Sequence, residues 1–155
     1  MRALIQRVSQ ASVETGGIRL GAIDRGLLVL LAAGPADTAA DAAWTASKVA
    51  RLRVFPDADG RMNLALGDVA GRVLCVSQFT LYGDVARGNR PSFVGAAPHE
   101  LGEQMVDAFV AALRNLGVEV ETGRFGADMQ VSLVNDGPVT IWIDTAFMRP
   151  PKADA

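Results

Sequence analysis

The sequence predicts a single mixed α/β domain, with largely antiparallel β-sheets and two main helices packed on them. Three observations predict it. The chain has 155 residues and is 50% hydrophobic, enough apolar material for one packed core. Only two stretches carry the 3.6-residue apolar periodicity of a helix. The rest alternates or runs continuously apolar, in the order ββ-β-α-β-β-α-β-β-β. That order lacks the regular βαβ repetition of a doubly wound fold.

Residues 2–14 mix apolar and polar positions around β-branched Ile5, Val8 and Val13, followed by Gly16-Gly17 and a second run, Ile18 to Ile23. This reads as a strand, a turn and a strand. Residues 27–33, LLVLLAA, read as a strand covered on both faces. Asp37 or Thr38 then caps a helix whose stripe is Ala39, Ala42, Ala43, Ala46, Val49 and Ala50. Val54-Phe55-Pro56 ends that unit, and Asp57-Ala58-Asp59-Gly60 is a turn signal. Residues 72–82, RVLCVSQFTLY, begin as a buried strand and turn polar at Ser77. A long irregular stretch, 83–98, follows, and loops of that length are often functional. The second helix carries Leu101, Met105, Ala108, Phe109, Ala112, Leu113 and Leu116, and Gly117 stops it. Val118 to Thr122 is a short strand, and residues 129–135 alternate as another. Asn135-Asp136-Gly137-Pro138 breaks that strand, and residues 139–143 resume as the last. The domain is expected to span residues 1–148, with 149–155 as a loose tail.

Composition excludes several classes. Fifteen basic against seventeen acidic residues leave a net charge of −2, so the chain does not coat nucleic acid by bulk electrostatics. Any such contact is local, with Arg87, Arg90 and Arg124 as candidates. The longest apolar run, Leu27 to Ala33, is too short for a bilayer, which takes about 20 residues. The N-terminus lacks the apolar core and cleavage site of a signal peptide, so a cytoplasmic location is expected. One Cys and one His leave no basis for a Cys/His metal cluster, and no metal or cofactor is expected.

The familiar catalytic signatures are missing: no P-loop, no GxGxxG after a strand, no HExxH and no GxSxG elbow. His99 reads as an exposed helix-start residue, and Cys75, inside a strand, as a buried inert thiol. Arg7 shares strand parity with Ala3, Ile5, Ala11 and Val13, and a charge on an apolar face needs a partner. It reads either as a snorkelling arginine at a sheet edge or as one that orients something at a site. Two polar segments remain. Ser77-Gln78-Phe79-Thr80-Leu81 ends a buried strand. Asn135-Asp136-Gly137-Pro138-Val139-Thr140 lies at a strand break. Each alone reads as capping and turn chemistry. X-Pro is, however, the one bond where cis is cheap, and a cis bond points two successive carbonyls the same way.

Together these segments resemble the D-aminoacyl-tRNA deacylase family. The resemblance covers nearly the whole chain, through RALIQRVSQASV, GLLVLLAAG, GRMNLAL, VLCVSQFTLYGDVARGNRPSF and TGRFGADMQVSLVNDGPVTIWIDT. Only the Ala-rich first helix and the tail diverge. The resemblance implies a cytoplasmic homodimer that cleaves the ester joining a D-amino acid to the terminal adenosine of tRNA. It also implies removal of glycine mischarged onto tRNA for alanine. The Gly137-Pro138 bond is then expected to be cis and to enter the partner subunit's pocket, lined by Ser77, Gln78, Phe79 and Thr80. Arg7, Asn135 and Thr140 are expected to support that pair.

The substrate ester is already activated, so positioning and oxyanion stabilisation matter more than a strong nucleophile. Backbone donors at Phe79-Thr80 could supply it. Thr80 could attack directly, yet neither motif supplies the base a threonine hydroxyl needs. Attack by water, with Thr80 positioning, is the expected route. Two rivals stand beside this reading. A small-molecule esterase or amidase would use Ser77 or Thr80 as nucleophile. A non-catalytic dimeric module would bind an aminoacyl-adenosine and release nothing.

Overall fold

The structure, a computed structural model, describes residues 1–148; the expected tail, 149–155, lies outside the described residues. Strands β1 (Arg2–Thr15), β2 (Ile18–Ile23) and β3 (Gly26–Ala32) come first, then helix α1 (Ala39–Arg51). A small pair, β4 (Phe55–Pro56) and β5 (Met62–Leu64), precedes β6 (Arg72–Ser77). A 3-10 turn (Phe79–Tyr82) follows, then α2 (His99–Asn115), β7 (Val120–Thr122), β8 (Gln130–Asp144) and the short α3 (Thr145–Met148). The main sheet runs β2-β1-β3-β6-β7, with β8 on β1. The β1 pairings with β2, β3 and β8 are antiparallel, while β3-β6 and β6-β7 are parallel. The mixed α/β class is as expected. The β5 strand and α3 had no sequence signal long enough to read.

Strand β3 is buried on both faces, as its continuous apolar run predicts. Leu27, Val29 and Leu31 join the core under the helices, with Ala46, Val49, Phe109 and Leu113. Leu28 joins a second core with Val8, Val13, Ile23, Leu74 and Val76. The sheet curls enough for β2 to lie over β7: a Cβ on Gly21 would sit 3.1 Å from the Thr122 carbonyl oxygen.

Thr38, and not Asp37, caps α1. The Asp41 carboxylate accepts from the Thr38 amide (2.8 Å) and hydroxyl (2.6 Å), a reciprocal box at the helix start. Asp37 instead accepts from the Met1 ammonium (2.6 Å) and the Gly34 amide (2.6 Å). The Asp57 turn forms as read: its carboxylate accepts from the amides of Asp59 and Arg61.

Two expectations about the long strands fail. Arg7 does not share one face with Ala11 and Val13. Ala3 and Ile5 face the helix core, whereas Ala11 and Val13 face the second core. Register shifts on either side of Val8 break the parity. Nor does Arg7 lie at a sheet edge, since β1 is flanked there by β3 and β8. The second failure is the break at 135–138. One strand, β8, runs through it. Val8 pairs with Asn135 and Gln6 with Thr140, so Arg7 alone opposes the four residues 136–139. The surplus chain has to leave the sheet, and Gly137 and Pro138 are exposed at its tip.

Candidate functional site

The predicted site residues fall into two groups, at different places in the chain. The first lies at the carboxyl ends of the parallel strands β3 and β6, a common place for ligand sites in sheets of this kind. A cavity of about 280 Å³ opens there. Ala32 at the end of β3 and Ala33 just beyond it, with Val76 and Ser77 at the end of β6 and Gln78 and Phe79 just beyond them, form one side. The Gln78 amide donates to the Leu31 carbonyl (2.8 Å), which ties the departing chain to β3.

The chain then turns. The Leu81 amide donates to the Gln78 carbonyl (3.1 Å) and the Gly83 amide to that of Thr80 (2.9 Å). The Phe79 and Thr80 amides precede the first bond of this turn and have no acceptor within it. Thr80 is exposed just outside the cavity walls. Its hydroxyl accepts from the Gln78 side-chain amide. That partner is a donor, so it cannot take the proton a nucleophilic threonine must lose.

The turn is held from outside. Arg2 donates to the Leu81 carbonyl (3.0 Å) and to Asp144 (2.9 Å), and its guanidinium lies 4.3 Å over the Tyr82 ring. Burial and the charges of Asp37 and Asp144 push the Tyr82 hydroxyl well above its ordinary range. Phe79 meets Phe93 edge-on at 5.1 Å. The 83–98 loop is thus anchored, and the Asp84–Ser92 bridge closes it around the exposed Arg87 and Arg90.

The far side of the cavity was missed by sequence reasoning. It is formed by the run Phe125 to Met129, which includes the exposed Asp128, and by Val131, with Gly102 and Val106 from α2. The signal was there in the glycines. A Cβ on Gly102 would sit 3.1 Å from the Phe125 ring, so a helix-interior glycine marks a wall that must stay thin. Gly126 has φ +72° beneath His99, whose ring meets Phe125 edge-on at 5.0 Å. His99 is exposed, and Cys75 is buried behind the cavity, where desolvation pushes its thiol up to about 12.

The second group is the tip on β8. The Gly137–Pro138 peptide is cis, as the sequence reading expects. Arg7 is buried beneath the tip. Its Nε donates to the Asp136 carbonyl (2.7 Å) and pairs with the Asp136 carboxylate (3.4 Å). Its Nη1 donates to the Val54 carbonyl. The neck is closed by Asn135, which accepts from the Val139 amide (2.8 Å) and donates to the Val139 carbonyl and the Thr140 hydroxyl (both 3.3 Å). Gln6 adds a bond to Thr140 (3.3 Å). Asn135 thereby replaces the ladder bonds that the surplus residues interrupt.

None of Gly137, Pro138, Arg7, Asn135 or Thr140 lines the cavity. Arg7 pairs with Leu27 and Ala3 with Leu31, so four strand residues separate the two levels, about 13 Å. Tip and cavity are two halves lying apart on one chain.

Comparison with known proteins agrees with this architecture. A D-aminoacyl-tRNA deacylase of Roseiflexus sp. (strain RS-1) is 57% identical over 152 residues, covering 98% of each chain. One of Lacticaseibacillus casei (strain BL23) is 58% identical, covering 94% of this chain and 98% of its own. The solved structure of a c-Myc DNA unwinding element binding protein is 41% identical, with a TM-score of 0.87 over 93% of this chain and 98% of its own. A probable eukaryotic D-amino acid tRNA deacylase, 17% identical with a TM-score of 0.78 over 92% of this chain and 97% of its own, shares the fold. The family model described as D-Tyr-tRNA(Tyr) deacylase matches residues 4–144, and the chain belongs to that family.

Proposed function

We propose that this chain hydrolyses the ester of D-aminoacyl-tRNA in the cytoplasm, as a homodimer in which the Gly137–Pro138 tip of one protomer enters the cavity of its partner. Family membership supports the reaction. One observation carries the arrangement: an exposed, braced tip and a cavity lie too far apart on one chain to form one site.

Selection against L-residues follows from sterics. D- and L-residues exchange hydrogen and side chain at Cα. Rigid main chain at Gly137 and Pro138 occupies the place an L side chain would need, and so refuses it. A D side chain points outward. Glycine has nothing to clash, so glycine mischarged onto tRNA for alanine is also hydrolysed.

Water attacks the ester carbon, assisted by the 2′-hydroxyl of the terminal adenosine. The amides of Phe79 and Thr80 receive the developing oxyanion, and losing one such donor typically costs about 100–1000-fold in rate. Thr80 positions, because its hydroxyl faces an amide donor in place of a base. Ser77 and Gln78 shape the cavity beside it.

The test mixes two inactive variants. Gly137→Ala spoils the tip. Ala127→Trp fills the cavity. Subunit exchange at equal amounts should restore about a quarter of wild-type activity on D-tyrosyl-tRNA, since half the dimers carry one intact site. A mixture that stays inactive while size measurements show exchanged dimers would refute the shared site. Hydrolysis of model esters with a trapped acyl-Thr80 would refute the water route.

A further inference from the structure

The C-terminal end of α1 carries a feature that the proposed reaction does not use. Lys48, Arg51 and Arg53 are all exposed there, around a hollow of about 460 Å³ floored by the half-buried Trp44. Lys48 lies 5.5 Å from the Trp44 ring. Arg53 donates to the Asn63 carbonyl (2.8 Å), a neutral group. None of the three cations has a carboxylate partner among the described residues. Three uncompensated cations beside an aromatic ring stand out in a chain of net charge −2. Such a surface suits a polyanion with planar groups, which is the chemistry of a nucleic-acid strand.

Its position supplies the second argument. Arg53 adjoins Val54, whose carbonyl accepts from Arg7, and Arg7 also holds the Asp136 carbonyl. Val54 and the Arg7 guanidinium therefore link the rim of this hollow to the base of the tip. If the tip enters the partner's cavity, the hollow comes to lie beside that cavity's mouth, where the body of the tRNA must leave.

We propose that Lys48, Arg51 and Arg53 of one protomer grip the phosphate backbone of the tRNA whose charged end lies in the partner's cavity. This rests on the proposed function. It gives the tip-donating protomer a second task, holding the substrate that its neighbour hydrolyses.

The experiment compares D-tyrosyl-tRNA with the minimal ester 3′-O-(D-tyrosyl)adenosine, which carries the reacting bond but no phosphate backbone. In Lys48→Glu/Arg51→Glu, kcat/KM on the tRNA substrate should fall about eightfold per lost phosphate contact at 0.1 M salt, through KM. The slope of log kcat/KM against log salt should become shallower by about two. Turnover of the adenosine ester should not change. Arg19→Glu, an exposed reversal of equal charge on β2, should do much less than Arg51→Glu alone. The proposal is overturned by an unchanged salt slope, by equal losses on both substrates, or by Arg19→Glu matching Arg51→Glu. A wild-type protein that cleaves neither ester overturns the proposed function, and this inference with it.

Discussion

Replacing Gly137 with alanine should disable the tip while leaving the domain folded. Gly137 has φ +152°, a conformation that L-residues rarely adopt. A Cβ there would lie 2.7 Å from both the Val139 amide nitrogen and its Cγ2, and 3.3 Å from Arg7 Nη2. Ordinary contact begins near 3.5 Å, so the chain must open by about 0.8 Å. Keeping the native path would cost about 1–3 kcal/mol. For a domain of this size that lowers Tm by about 2–12 °C. The tip is exposed, so moving is the cheaper response and the Tm loss should fall at the low end. Activity then takes the loss. A displacement near 1 Å at a positioning group costs about 100-fold. Single-turnover hydrolysis of D-tyrosyl-tRNA should therefore slow by about two orders of magnitude, with Tm read in parallel by circular dichroism. A variant that keeps wild-type turnover would show that Gly137 positions nothing.

Three further outcomes are expected. Arg7→Lys keeps the charge but loses the fork that reaches both the Val54 and Asp136 carbonyls. One buried acceptor is left open, at about 1–3 kcal/mol, and kcat/KM should fall with Tm; urea titration alongside kinetics checks both. Gly102→Ala should leave stability unchanged or raised by up to about 1 kcal/mol, as alanine does in helices, yet raise KM by pressing Phe125 into the cavity. Equal KM values would remove Gly102 from the wall. The Cys75 thiol is held near 12 when folded, against an ordinary 9.0. Below about pH 9 both states are protonated and its effect is constant. Above that the unfolded chain alone loses the proton, so stability should decline as pH rises toward 12. Urea midpoints at pH 8 and 10.5, and native-state labelling by iodoacetamide no faster than global opening, check this.

Much of the fold was legible because local and global signals coincide. The apolar run of β3 had to be buried twice, and both cores meet at it. The Thr38 cap and the Gly117 stop follow from backbone chemistry alone. The long strands misled because parity is a local rule. Register shifts beside Val8 send Ala3 and Val13 to opposite faces, and no propensity marks a shift imposed by neighbours. The break at Gly137-Pro138 looked like a strand end because turn residues dominate it. Only pairing with β1, over a hundred positions away in sequence, shows that the strand continues. The near wall of the cavity lay inside a recognisable motif. The far wall lay within the TGRFGADMQ stretch that carries the resemblance, yet was not read as part of a site, because Phe125, Ala127 and Met129 matter by place alone.

The cavity is framed by main chain and by mostly apolar side chains, from Ala32, Ala33 and Ala127 up to Phe79, Phe125 and Met129, with the exposed Asp128 at its far side. Truncation to alanine probes those walls, but it does not move the main chain that aims the Phe79 and Thr80 amides or carries the Gly137–Pro138 tip. Conventional alanine scanning would thus understate how much of this sequence is indispensable. The informative substitutions are those that bend or thicken the chain trace itself, at its glycines and prolines. One misplaced methyl group on the trace should cost more here than an exchange of one apolar wall residue for another of similar size.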